Sequence, residues 1–311
     1  MIHLDYPNKE AAVELHAAKI IEVVTTESET LKDTLYNGVR KLISYLPEKR
    51  DEKDYSWLHD FIVADVDTLE SWVSNQRDDL SFSNYFLDMY EKKFAKSPEI
   101  FIDKAKEYNA YVLLEMIDFN VCPYCDDEYL AVFSSYRGDN KDGSPIFKER
   151  RTCDFDHFYP KKGAEGCPAI AMCFYNLVPS GKGCNQPMNT TPIAANPYKS
   201  QIEDWSKFEP DVPPTRTLES LSDEEVKIKL VTSNGMKLNN EVLGLEDRYN
   251  HHHSEIRRLM VLKRSSDKTN TDEKELLGIP KEIIQKLLGP SYPELRGKEL
   301  HQKLRNDILG F

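Results

Sequence analysis

Apolar positions recur at helical spacing through residues 1–120. Leu31, Leu35, Val39, Leu42 and Leu46 fall three or four apart, on one face of a helix. Trp57, Phe61, Ala64 and Val66 to Leu69 continue the pattern, as do Tyr85, Met89 and Phe94. Ser97-Pro98 punctuates it, with Pro98 suited to a helix start. The spacing predicts a further helix over 100–119. The charge run 48–54 reads as a solvated linker or helix end. From 121 to 200 helical periodicity fades, and Cys, Pro, Gly, Asn and aromatics crowd in. Short strands are predicted at 129–134 and 152–156. Residues 201–217 read as a connector. VKIKLV at 226–231 alternates as a strand, with a turn at Asn234-Gly235. Residues 242–264, 281–288 and about 297–309 read as helices. The pattern predicts an α+β fold, mostly helical, with no internal repeat.

Composition narrows this picture. The chain has 311 residues, 40% hydrophobic and 30% charged, with 13 Gly. That describes a folded globular protein, not a disordered or fibrous one. Its net charge is −12, which excludes holding nucleic acid by bulk positive charge alone. The acid is uneven. Residues 1–120 carry 14 Lys/Arg against 24 Asp/Glu, whereas 148–199 carry seven basic residues against four acidic ones. That basic window also holds four of the six cysteines. The start, MIHLDYPNKE, has neither the basic opening nor the apolar run of a signal peptide, and no apolar stretch approaches a membrane span. A cytoplasmic location without a membrane partner is the expectation. The cysteines are then thiols or metal ligands, not disulfides.

Three pieces between 122 and 185 carry chemistry. Cys122-Pro123-Tyr124-Cys125 sets two thiolates at the spacing that grips a tetrahedral zinc. In Asp154-Phe155-Asp156-His157-Phe158-Tyr159-Pro160-Lys161, the two acids share one face of a strand, and His157 directly follows the second. In Phe174-Tyr175-Asn176-Leu177-Val178-Pro179-Ser180-Gly181-Lys182-Gly183-Cys184-Asn185, Cys184 immediately precedes Asn185, and Asn176 lies nine residues upstream of Asn185.

On these residues the chain resembles the HNH, or ββα-metal, endonucleases, with His157, Asn176 and Asn185 as the H, N and N. The DFDHFYPK and FYNLVPS stretches are similar to the PtuB-like HNH nucleases of Septu and retron-associated anti-phage systems. The similarity runs from about Val121 to Pro197. It implies a small ββα-metal core with a zinc-knuckle-like element. That core would occupy 111–200, between an acidic helical accessory or partner-binding region (1–110) and a mostly helical region packing on it (201–311). It implies a phosphodiester hydrolase using Mg²⁺ or Mn²⁺, acting on DNA or RNA, DNA favoured, as an anti-phage effector in a hetero-oligomer with a PtuA-like ABC-type ATPase.

The chemistry of the residues runs parallel. His157 suits the removal of a proton from water near neutral pH. Asp156 and Asn185 offer hard oxygen donors for the catalytic metal. Asn176 is expected to tie down the loop between the strands and so orient His157. Asp154 is a carboxylate placed to support the ligands from behind. Lys161, Lys162 and Lys182 are candidate phosphate contacts, and a helix beginning near Gly183 would aim its N-terminus at the site.

One departure stands out. The resembled pattern has Cys where this chain has Gly181, so the structural zinc candidates are three, Cys122, Cys125 and Cys184. Cys153, Cys167, Cys173, Asp126 or a water are candidates for the fourth place. Plainer readings stand beside these. CPYC alone is compatible with an inert turn. Cys153, Cys167 and Cys173 are each better read as small buried side chains. Lys161-Lys162 fits a solvated loop as well as a phosphate contact. His251-His252-His253 reads as helix surface, because adjacent helical residues point about 100° apart. Trp57, Trp72, Tyr85 and Phe86 read as core, and Asp65-Val66-Asp67 as a turn or cap. Two rival functions remain: a zinc-knuckle binding module with a decayed catalytic site, which Gly181 favours, and an HNH ribonuclease cutting tRNA.

Overall fold

A computed structural model describes residues 1–96, 99–100, 107–188, 193–212, 216, 218–233, 235–268 and 297–309. The chain is α+β, with helices and, among the described residues, three small antiparallel sheets. It divides into two compact units, both discontinuous in sequence. One gathers residues 5–118 and 129–192, the other 1–4, 119–128 and 193–311.

The first unit opens with four helices, α1 (Lys9–Thr25), α2 (Glu29–Leu42), α3 (Ser56–Ile62) and α4 (Val66–Asn75). The Leu35–Val39–Leu42 stripe is buried as its spacing predicts, but Leu46 lies beyond the end of α2. The run from Trp57 to Leu69 is two helices rather than one. Asp65 separates them by accepting the Thr68 N–H at 2.8 Å, a cap worth about 1 kcal/mol. Phe61 stacks on Trp72 at 5.6 Å, and Trp57, Trp72 and Phe86 are buried. The charge run holds one surprise. The Arg50 side chain is almost fully covered and pairs with Glu29 and Asp33 of α2.

α5 (Tyr85–Met89) continues into a π-helical turn over Tyr90–Phe94. The helix expected over 100–119 is shorter. β1 (Glu99–Ile100) is a strand, and α6 spans only Ala110–Met116. Asn109 explains the late start: its Oδ1 accepts both the Tyr111 and Val112 N–H groups. The expected punctuation at Ser97-Pro98 and the stretch 101–106 lie outside the described residues.

β2 (Val132–Asp139), β3 (Pro145–Arg151) and β1 form one sheet in the order β1-β3-β2. A hairpin follows. β4 (Cys153–His157) pairs antiparallel with β5 (Leu177–Gly181), setting Cys153 opposite Gly181 and His157 opposite Leu177. α7 (Lys182–Met188) leaves β5 directly and packs against both strands. Seven residues long, with Pro187 inside its last turn, it is a short helix. Asn189 lies outside the described residues.

In the second unit, β6 (Ser206–Asp211) pairs antiparallel with β7 (Lys227–Thr232). The sequence pattern reads β6 as connector, since only Phe208 marks its inner face. Among the described residues, four helices accompany the pair: α8 (Met236–Leu243), α9 (Leu245–Asn250), α10 (His253–Lys268) and α11 (Gln302–Leu309). The helix expected over 242–264 is interrupted twice. Gly244 takes the left-handed conformation (φ 61°) between α8 and α9, and His251-His252 separates α9 from α10. α11 begins at Gln302 rather than near Gly297, which is itself left-handed (φ 71°). The helix expected at 281–288 lies outside the described residues. Among the described residues, no helix is long and apolar enough to cross a membrane.

Candidate functional site

The hairpin-helix β4–β5–α7 belongs entirely to the first unit and carries the H, N and N side chains. Burial alternates along β4. Cys153, Phe155 and His157 point inward, while Asp154 and Asp156 occupy the half-exposed face.

His157 ends β4 and is buried. Its Nε2 lies 3.0 Å from the Ala171 carbonyl, which can only accept, so Nε2 carries the proton and Nδ1 the lone pair. The ring meets Tyr90 edge to face at 4.4 Å. Lys161 reaches back with Nζ 3.4 Å from Nδ1, while also lying over the Tyr90 ring at 4.4 Å. Burial, reinforced by the Lys161 charge and opposed by the Ala171 hydrogen bond, lowers the His157 pKa to about 3. The imidazole is neutral near pH 7. Burial also lowers the pKa of Lys161.

Asn176 is fully buried just before β5. Its Oδ1 accepts the Tyr159 N–H at 2.7 Å, and its Nδ2 donates to the Ile170 carbonyl at 3.1 Å and the Tyr159 carbonyl at 3.3 Å. Its own carbonyl accepts the Phe158 N–H. One side chain thus fixes both ends of the loop that leads from His157 to β5.

Asp156 faces Val178 across the ladder, and Asn185 is half-buried on α7. Asp154 is paired with Arg151 at 2.7 Å, so its carboxylate is already tied to a guanidinium. Lys162 pairs with Glu91 at 2.7 Å. Lys182 is exposed at the first position of α7. Among the three lysines, Lys161 is the one that meets His157.

All six cysteines are buried and none is in a disulfide. Cys122 and Cys125 share a turn of the second unit, closed by the Asp126 N–H on the Cys122 carbonyl (2.7 Å) and the Cys122 N–H on the Glu128 carbonyl (2.8 Å). Cys184 lies buried on α7 of the first unit. The candidates for a fourth place have other partners. Cys173 donates its S–H to the Phe61 carbonyl and Cys167 to the Glu165 carbonyl. Burial raises both thiol pKa values, and that of Cys153 to about 11. Asp126 accepts the Lys303 N–H through Oδ2 at 2.8 Å, and its burial holds the carboxyl well above the usual carboxylate range.

A second constellation escaped the sequence reading. His252 lies between α9 and α10, not on a helix surface. Its Nε2 is 2.8 Å from Asp127 Oδ1, and His301 Nε2 is 2.8 Å from the same oxygen. All three residues belong to the second unit. They are 125 and 49 residues apart in the chain, so no local spacing marks them. Burial alone would raise the Asp127 pKa, but the hydrogen bond from His301 and the nearby imidazoles hold it below its ordinary value.

Among known proteins, no family model, no curated protein and no solved structure matches this chain.

Proposed function

We propose that this chain is a metal-dependent endonuclease of the HNH type, hydrolysing phosphodiester bonds of nucleic acid, DNA in preference to RNA. The observation that carries the reading is the β4–β5–α7 order with His157 ending the first strand, Asn176 locking the loop and Asn185 on the helix.

His157 acts as the base in this reading; a pKa of about 3 keeps it unprotonated but weakly basic, so the role requires the Lys161 charge to leave and an anionic phosphate to arrive. Its Nε2–H is spent on Ala171, which leaves Nδ1 as the atom that takes a proton from water. Lys161 guards that nitrogen. A phosphate entering the site competes for the ammonium, drawing Lys161 onto its oxygens and freeing Nδ1. Asn176 holds the loop so that the imidazole does not drift. Asp156 and Asn185 offer the carboxylate and amide oxygens that Mg²⁺ or Mn²⁺ prefers, and both are half-buried rather than sealed. When bound, the ion neutralises charge on the non-bridging and leaving oxygens.

The turn bearing Cys122 and Cys125 fits the first half of a structural zinc site, and Cys184 is the third thiol by resemblance. The anti-phage role and the ABC-type ATPase partner rest on the sequence resemblance. The acid of residues 1–120 makes that region a poor DNA surface, so it is assigned to protein contacts or autoinhibition.

The deciding experiment is cleavage of plasmid DNA and of tRNA with Mg²⁺ or Mn²⁺, comparing wild type with His157→Ala. Loss of a general base costs roughly 10²–10⁴-fold. Equal rates in the two proteins would remove the catalytic assignment. Binding of nucleic acid without cleavage by the wild type would favour the decayed module, in line with Gly181.

A further inference from the structure

We propose that Asp127, His252 and His301 form a binding site for a divalent transition-metal ion of the zinc class, separate from the H, N and N residues and from the cysteines.

The donor set is the first argument. Two imidazole nitrogens and one carboxylate oxygen suit zinc and its neighbours, whereas magnesium and calcium favour oxygen alone. The ligand atoms all lie within 4.8 Å of one another. Zinc holds such donors at about 2.0–2.2 Å, which sets tetrahedral neighbours about 3.3 Å apart. Here each imidazole nitrogen stands 2.8 Å from the carboxylate oxygen, so an outward shift of about 0.5 Å per pair makes room for the ion.

Backbone geometry is the second argument. Asp126 (φ 57°) and His301 (φ 60°) are the only non-glycine residues with positive φ among those described. They are joined: the His301 N–H donates to the Asp126 carbonyl at 2.8 Å. Lys303 N–H holds the Asp126 carboxyl, and the Tyr249 hydroxyl donates to the Cys125 carbonyl at 2.7 Å. Two residues are thus kept in an uncommon conformation, one beside a proposed ligand and one a ligand itself. Strain of this kind persists where the surroundings over-determine it, and ligand clamps are such places.

Access is the third. The side chains of Asp127 and His301 are 17% and 15% exposed and that of His252 34%. The donors are recessed but not sealed, and His252 is the most exposed of the three, so an ion can enter past it. A bound ion would tie the 122–128 turn, the α9–α10 junction and the start of α11 together.

The test uses the full chain, stripped with a chelator and titrated with Co²⁺. Wild type should bind one more equivalent than His252→Gln or His301→Gln. The cobalt lost should carry no thiolate charge-transfer band, because its ligands are nitrogen and oxygen. Equal stoichiometry in wild type and both variants would overturn the site. A wild-type measurement covers variants that fail to fold: Zn²⁺ should protect His252 and His301, but not His251, from carbethoxylation read by mass spectrometry. Unchanged labelling of His252 and His301 would also overturn it. Neither readout depends on nuclease activity, so this site and the nuclease reading fail separately.

Discussion

Three histidines show how environment decides what one side chain does. His251 is exposed and His252 joins Asp127, although they are neighbours in the chain. His16 is fully buried in α1, with Nδ1 2.6 Å from the Tyr108 hydroxyl and Nε2 2.7 Å from the Met172 carbonyl. Burial lowers its pKa to about 4, against a smaller upward pull from the Met172 carbonyl. Between that value and the ordinary 6.5 the unfolded chain binds the proton and the folded chain does not. His16 therefore supports the fold fully above pH 6.5, and that support is lost as pH falls toward 4. The full span is worth on the order of 3 kcal/mol. Denaturant unfolding of wild type and His16→Gln at pH 7 and pH 4.5 should show the wild type losing more stability than the variant. Parallel losses would show that His16 does not titrate this way.

At the scale of elements, the loop between β4 and β5 depends on one amide. Asn176→Ala leaves the Tyr159 N–H without its partner and the Ile170 carbonyl with the Cys173 N–H alone, a loss of about 1–3 kcal/mol. Its effect on cleavage should exceed what that destabilisation explains at temperatures where the variant is folded, because the loop carries His157's approach. The measurement is a thermal melt beside a cleavage rate at 25 °C. A lowered melting point with an unchanged rate would reduce Asn176 to a purely structural residue. Sequence periodicity found most helices and mislaid their ends. Asn109, Asp65 and Gly244 set those ends through caps and left-handed backbone. β3 and β6 were not read, since each earns its strand from a partner, β2 and β7, rather than from its own alternation.

For the whole molecule, charge sets the terms on which nucleic acid can be held. With a net charge of −12, the chain alone should bind duplex DNA weakly. Lys161, Lys162 and Lys182 together would give a slope of log affinity against log salt no steeper than about −3. A slope near −10 in an anisotropy titration would mean an extended basic surface that the composition does not provide.

What the sequence alone determined is local. It gave the α+β character, the helical stripes, the order of His157, Asn176 and Asn185, and the uneven charge, because each is written in spacing along one stretch. Tertiary structure decided the rest. Burial of His157 makes it neutral, Ala171 selects its proton, and Lys161 stands at the remaining nitrogen. Glu91 claims Lys162 and Arg151 claims Asp154. Asp127, His252 and His301 meet only once three distant segments have packed. Proton affinity and ligand geometry depend on distances in space, and a spacing in sequence sets such distances only within one helix, strand or turn.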